Sequence, residues 1–164
     1  MTQLERLLAA LTNAGVEFII VGGVAERAHG SSRLTDDIDL SYARSPENLT
    51  RLVKALAPLR PYWRGAPPGL PFEWSVATLR EGLNLTLTTS AGAIDLVGEI
   101  TGGGQYSDLL PHALTITIFG RDVRLLDLPW LIRLKRAAGR PKDFEVIAEL
   151  ESLQEEIQQQ RHTR

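Results

Sequence analysis

Asp37-Ile38-Asp39 is the stretch that most narrows what this chain can become. With Leu40, Ser41 and Tyr42 behind it, the segment has the residue types of a β-strand. Successive strand side chains alternate between faces, so the two carboxylates share one face with Cα atoms roughly 6–7 Å apart. Ile38 and Leu40 turn to the other face and supply the apolar surface that buries it. Like charges side by side on a strand repel, so such a pair is favourable chiefly where a cation lies between them.

A third acid answers this pair much later in the chain. Ala93-Ile94-Asp95-Leu96-Val97 reads as another strand, with Asp95 on the face away from Ile94 and Leu96. Placed beside the first strand, Asp95 would complete an all-oxygen set with Asp37 and Asp39, suited to Mg²⁺ and a nucleoside triphosphate. The glycines fit the same chemistry. Val16 to Val21 is a short β-rich apolar run ending at Gly22-Gly23, and a helical turn is expected from Val24 to His29. A turn without Cβ atoms lets phosphate approach backbone N–H groups, and a following helix offers its positive end. A tight strand-to-helix turn that needs glycine explains the pair equally well.

The rest of the chain alternates helices and strands. Leu4, Leu7, Leu8 and Leu11 have the spacing of an amphipathic helix, stopped at Asn13-Ala14-Gly15. Ser45-Pro46 reads as an N-cap followed by proline at the first helical position, and Leu49, Leu52, Val53 and Leu56 continue that helix. The stretch from Pro58 to Pro71 carries five prolines and two glycines and is expected to be a loop over a cleft. Leu83, Leu85 and Leu87 alternate with polar residues as a half-buried strand. A hairpin about Gly120-Arg121-Asp122 joins strands at 114–119 and 123–126. Two helices, about 129–138 and 142–158, close the chain around Gly139-Arg140-Pro141. No internal repeat and no second core is expected. The anticipated fold class is α+β: a small mixed sheet with helices packed on it, residues 1–127 forming the core and 128–164 a helical extension.

Composition limits the functions available. A chain of 164 residues with 43% hydrophobic and 23% charged residues suits one globular core. No apolar run reaches the ~18–20 residues that span a bilayer, and Met1 to Arg6 lack the pattern of a secretory signal, so none is expected. The chain has no cysteine, which excludes disulfides, thiolate metal sites and thiol nucleophiles and fits a cytoplasmic protein. At a net charge of -2, any polynucleotide contact should be local. Arg133, Lys135, Arg136, Arg140 and Lys142 form the densest positive stretch, readable as a contact patch or as a solvated helix face.

The strand, Gly-Gly, Asp-x-Asp and distant Asp together resemble the nucleotidyltransferase superfamily through Gly22, Gly23, Asp37, Asp39 and Asp95. The flanks at 19–40, 92–106 and 130–150 look like the small abortive-infection (AbiEii-type) toxin nucleotidyltransferases of type IV and related toxin–antitoxin systems. That likeness covers about Val16 to Leu150, and Arg140-Pro141-Lys142-Asp143 is its most subgroup-specific part. The resemblance implies a nucleotidyltransferase-type fold and transfer of a nucleoside monophosphate from an NTP to a hydroxyl. The acceptor it implies is RNA, such as a tRNA 3′ end, with a cognate antitoxin as partner.

Residue by residue, the resemblance implies that Asp37 and Asp39 hold the Mg²⁺ bound to the triphosphate, and that Asp95 completes the site beside a second metal ion and deprotonates the acceptor. It implies that Gly22 and Gly23 cradle phosphates, that Arg33 and Thr35 contact phosphate or the metal shell, and that Lys135 and Lys142 face the triphosphate. Blander roles are expected for Asp36 (loop or cap), Asp143 (helix cap) and His29 (packing or hydrogen bonding). Alternatives in function are an antitoxin-type enzyme modifying a partner protein, an aminoglycoside-modifying enzyme, and an inactive binding module. The long stretch after Asp95 favours the toxin-like subgroup over shorter antitoxin-type chains.

Overall fold

Alternation and capping build the expected helices and strands, with further, unexpected short elements between them, and the computed structural model describes residues 2–163. Helix α1 (Leu4–Asn13) buries Leu7, Leu8 and Leu11, and Gly15 ends it with a positive φ. Strand β1 (Phe18–Val21) is buried throughout and runs directly into α2 (Gly22–Ala28), which begins two residues earlier than Val24. Strand β2 spans Asp37–Tyr42. In α3 (Pro46–Leu56) the Ser45 hydroxyl accepts from the Asn48 backbone N–H at 3.2 Å, and Pro46 takes the first helical position.

The proline-rich stretch is more ordered than a loop. A 3₁₀ turn (Ala57–Leu59) leads to a two-residue strand β3 (Tyr62–Trp63), and α4 (Val76–Glu81) follows, capped by Ser75. Strands β4 (Asn84–Thr89) and β5 (Gly92–Val97) form a hairpin. A four-residue helix, α5 (Tyr106–Leu109), starts on a reciprocal capping box between Gln105 and Asp108. Strands β6 (Ala113–Ile118) and β7 (Arg121–Leu126) turn at Phe119-Gly120, both at positive φ, so Arg121 and Asp122 belong to the strand rather than the turn. Helices α6 (Leu128–Ala138) and α7 (Phe144–His162) finish the chain.

The strands make one mixed sheet in the order β3-β4-β5-β2-β1-β7-β6. β2 runs antiparallel to β1 and parallel to β5, which puts both acid-bearing strands side by side at its centre. Ile38, Leu40, Ile94 and Leu96 are fully buried beneath it. A second, smaller core departs from the single one expected. Leu128, Ile132, Val146, Ile147 and Leu150 pack α6 against α7, while Leu131 on the same helix joins the main core. Leu153 is half-buried and Phe144 is exposed. Among the described residues, no helix is long and apolar enough to cross a membrane.

Asn48, fully buried, ties three segments together. Its side-chain oxygen accepts from the Glu17 N–H at 2.7 Å, and its amide donates to the carbonyls of Glu17 (3.0 Å) and Ala43 (2.7 Å). Those bonds fix the entry to β1 and the exit from β2, and with them the register of the acids.

Candidate active site

Parallel pairing of β2 with β5 sets Asp39 directly beside Asp95, with Asp37 beside Ala93. One oxygen from each of Asp37, Asp39 and Asp95 lies within 4.8 Å of the others, and all three residues are half-buried. Three carboxylates from adjacent strands form a hard, all-oxygen donor set, the chemistry that suits Mg²⁺ better than a nitrogen- or sulfur-loving ion. Burial first, then the hydrogen bond to Asp95 and the charges of Asp37 and Asp95, push the Asp39 carboxyl up to about 8, against an opposing pull from Lys135. Neutralising this crowding is what a bound cation would do, so the residues fit the ion.

The glycines shape the approach to these acids. Gly22 has a φ of +69°, and a Cβ there would fall into the Asp39 carboxylate. A Cβ on Gly23 would stand 2.9 Å from the Thr35 Cβ. The Thr35 hydroxyl in turn donates to Asp37 Oδ1 at 2.9 Å, so Thr35 does reach the acid site, through Asp37. Glycine is required here because helix α2 is pressed onto the face that carries the carboxylates.

Lys135 sits on α6 within a web of acids. Its ammonium is 3.2 Å from Glu26 Oε1 and 3.6 Å from Asp143 Oδ1, and both acids are buried. Asp143 occupies the N-cap position of α7 but caps nothing; its carboxylate binds Arg140 Nε at 2.8 Å. Burial opposes ionisation of Asp143, yet the Arg140 hydrogen bond and the charges of Lys135 and Arg140 hold its carboxyl below the usual range. Gly22, Asp39, Glu26, Lys135 and Arg140 line one cleft of about 330 Å³, walled on the apolar side by Val97 and Leu134.

Arg33 and Lys142 are placed differently from Thr35 and Lys135. The Arg33 guanidinium is engaged by α7, at 3.1 Å from Glu149 and 3.4 Å from Glu145, rather than by the acids of β2. Lys142 is exposed on the 3₁₀ turn before α7 and is not among the residues lining the cleft. Elsewhere, His29 Nε2 bonds the Leu126 carbonyl at 2.9 Å, a hydrogen-bonding role as expected. The positive stretch is largely paired internally: Arg136 meets Glu151, Arg140 meets Asp143, and Arg133 lies 4.5 Å over the Trp130 ring.

Two site residues escaped the sequence. Glu26 looks like a surface acid in a short helix, and only the packing of α6 over α2 buries it. Arg64 follows β3, and its guanidinium reaches Asp95 Oδ1 at 2.8 Å and Asp37 Oδ2 at 3.6 Å. The one local signal for it is the aromatic pair Tyr62-Trp63 among the prolines, a β-forming pair in an otherwise loop-like segment.

No protein-family model matches the sequence, and no curated protein matches it. Solved structures do match in fold. The structure of ANT(2'')-Ia in complex with adenylyl-2''-tobramycin aligns with a TM-score of 0.55 at 15% identity, covering 96% of each chain. A protein of Thermotoga maritima described as a nucleotidyltransferase gives a TM-score of 0.58 at 13% identity, covering 89% of this chain and 88% of that one. An antigenic nucleotidyltransferase-like protein from Paracoccidioides brasiliensis gives 0.53 at 20% identity, over 92% of this chain and 74% of the other. The chain thus has the nucleotidyltransferase fold, a mixed sheet with a C-terminal helix. At these identities it is the fold that is shared.

Proposed function

We propose that the protein is a Mg²⁺-dependent nucleotidyltransferase, moving a nucleoside monophosphate from an NTP to an acceptor hydroxyl. The convergence of Asp37, Asp39 and Asp95 within 4.8 Å, beside the cleft holding Lys135 and Arg140, carries this reading. Asp37 and Asp39 would hold the ion, oriented by the Thr35 hydroxyl on one side and the bare Gly22 backbone on the other. Bound there, Mg²⁺ supplies charge neutralisation for the triphosphate. Asp95 takes the proton of the acceptor hydroxyl as its oxygen bonds to the α-phosphorus. The bond between the α-phosphorus and the bridging oxygen breaks, and pyrophosphate leaves with that electron pair. Gly22 and Gly23 offer backbone N–H groups to the phosphates, while Lys135 and Arg140, which line the cleft, supply positive charge toward the leaving group. Arg33 acts indirectly, pinning the segment before Asp37 to α7 through Glu149.

For the acceptor, the resemblance to abortive-infection toxins supports RNA, a tRNA 3′ end in particular, with growth inhibition as the outcome and a cognate antitoxin as partner. A short acceptor end needs only local cations, and Arg133 on Trp130 with exposed Lys142 meets that need. A second reading, a small-molecule or protein hydroxyl, draws support from the internal pairing of Lys135, Arg136 and Arg140, which leaves little free charge for a polynucleotide. Purified protein with Mg²⁺, α-labelled NTPs, total RNA and, separately, an aminoglycoside separates the two. Label on RNA supports the first reading and label on the aminoglycoside the second. Label in neither, with the same result from Asp95→Ala, contradicts enzymatic transfer to both.

A further inference from the structure

We infer that Arg64 is a resident cation of the acid cluster, standing where a second metal ion would otherwise sit, so that the site takes one divalent ion per chain. This deepens the nucleotidyltransferase reading and rests on it. Two different nitrogens of the guanidinium span two carboxylates, Nη2 to Asp95 Oδ1 at 2.8 Å and Nη1 to Asp37 Oδ2 at 3.6 Å. The guanidinium is also fastened to the sheet: Nε and the same Nη2 donate to the Leu87 carbonyl at 3.2 and 2.8 Å. The Arg64 backbone N–H donates to the Thr86 carbonyl at 3.1 Å, continuing the β3–β4 ladder. A guanidinium hydrogen-bonded to a β4 carbonyl and ion-paired with two acids is a fixed part of the site rather than a side chain that swings in.

Charge agrees with this placement. With all three carboxylates ionised, as they would be around a bound cation, the cluster carries three negative charges; one guanidinium reduces these to two, which one divalent ion balances. A second divalent ion would have to share Asp37 and Asp95 with a positive charge already ion-paired with them, and like charges at that range repel strongly in a half-buried site. Arg64 also orients Asp95, the residue assigned to take the acceptor's proton, so its neighbourhood is positive when the hydroxyl approaches. It acts through the two acids and is a positioning residue.

Counting bound Mn²⁺ by electron paramagnetic resonance, with a non-hydrolysable NTP analogue present, tests the assignment. The full-length protein should bind one Mn²⁺ per chain, Arg64→Gln should bind two, and Arg64→Lys should return to one. Two Mn²⁺ in the unaltered protein, or one in Arg64→Gln when its melting transition matches the parent's, would overturn the role of Arg64 and leave nucleotidyl transfer standing. Should Arg64→Gln fail to fold, the counts on the unaltered protein and Arg64→Lys decide alone. No bound Mn²⁺ in any of the three overturns the transfer reading, and this inference with it.

Discussion

Asp39 concentrates the electrostatic tension of the site. Burial, the hydrogen bond to Asp95 and the neighbouring charges raise its carboxyl from 3.8 to about 8, so the folded protein holds a proton there that the unfolded chain releases. The resulting stabilisation is complete below about pH 4 and is lost as pH rises through about 8. Without divalent ions, the melting temperature of the parent should fall over that window relative to Asp39→Asn, and Mg²⁺ should restore more of it the higher the pH. Thermal scans across pH would show this; a difference between the two proteins that does not vary with pH would contradict it. Gly22→Ala should lower stability by about 1–3 kcal/mol, through its positive φ and the collision with Asp39. Denaturant titration would read the loss, and an unchanged midpoint would mean that α2 does not press on the acids. Asp95→Ala should reduce transfer by roughly 10²–10⁴-fold, the range for loss of a general base.

At the scale of elements, the acids were legible because strand alternation is local: Asp37, Asp39 and Asp95 each share their segment with apolar residues of opposite parity. Ser45-Pro46 announced α3 for the same reason, since capping chemistry lies within four residues. β3 was hidden because two residues form a strand only when β4 offers them a partner. Arg64 was hidden with it. The acid web around Lys135 was equally unreadable, since Glu26 lies far from Lys135 in sequence and Asp143 beyond the Gly139 turn, and both meet it only where α2, α6 and the turn before α7 pack together. Asp143 shows how a local signal misleads: its position suits a cap, but its carboxylate is taken by Arg140 and Lys135. Lys135→Met should therefore destabilise the fold by about 3–5 kcal/mol, because Glu26 would keep a buried charge without its partner. Lys135→Met combined with Glu26→Gln should recover much of that loss. A double variant no better than the single one would mean that the pair does not set the cost.

For the molecule as a whole, one sheet carries the site and the helices hold it in register. The α6–α7 pair, with its own small core, closes the cleft beside Asp39 through Lys135 and Arg140, and Arg33 links the segment before β2 to α7. The absence of this second core from the sequence reading has a physical cause: α6 divides its apolar residues between two clusters, so neither face looks like a separate core. Asn48→Ala should cost about 1–3 kcal/mol for each buried backbone group left unpaired, and it should lower cation affinity along with stability, since it loosens both β1 and β2.

The most direct test of the account follows two labels on the same NTP. With Mg²⁺ and an acceptor-containing extract, label on the α-phosphate should become attached to the acceptor while label on the γ-phosphate leaves as pyrophosphate, and Asp39→Asn should do neither. Attachment of the γ-label, or α-label transfer undiminished in Asp39→Asn, would contradict nucleotidyl transfer at the three acids.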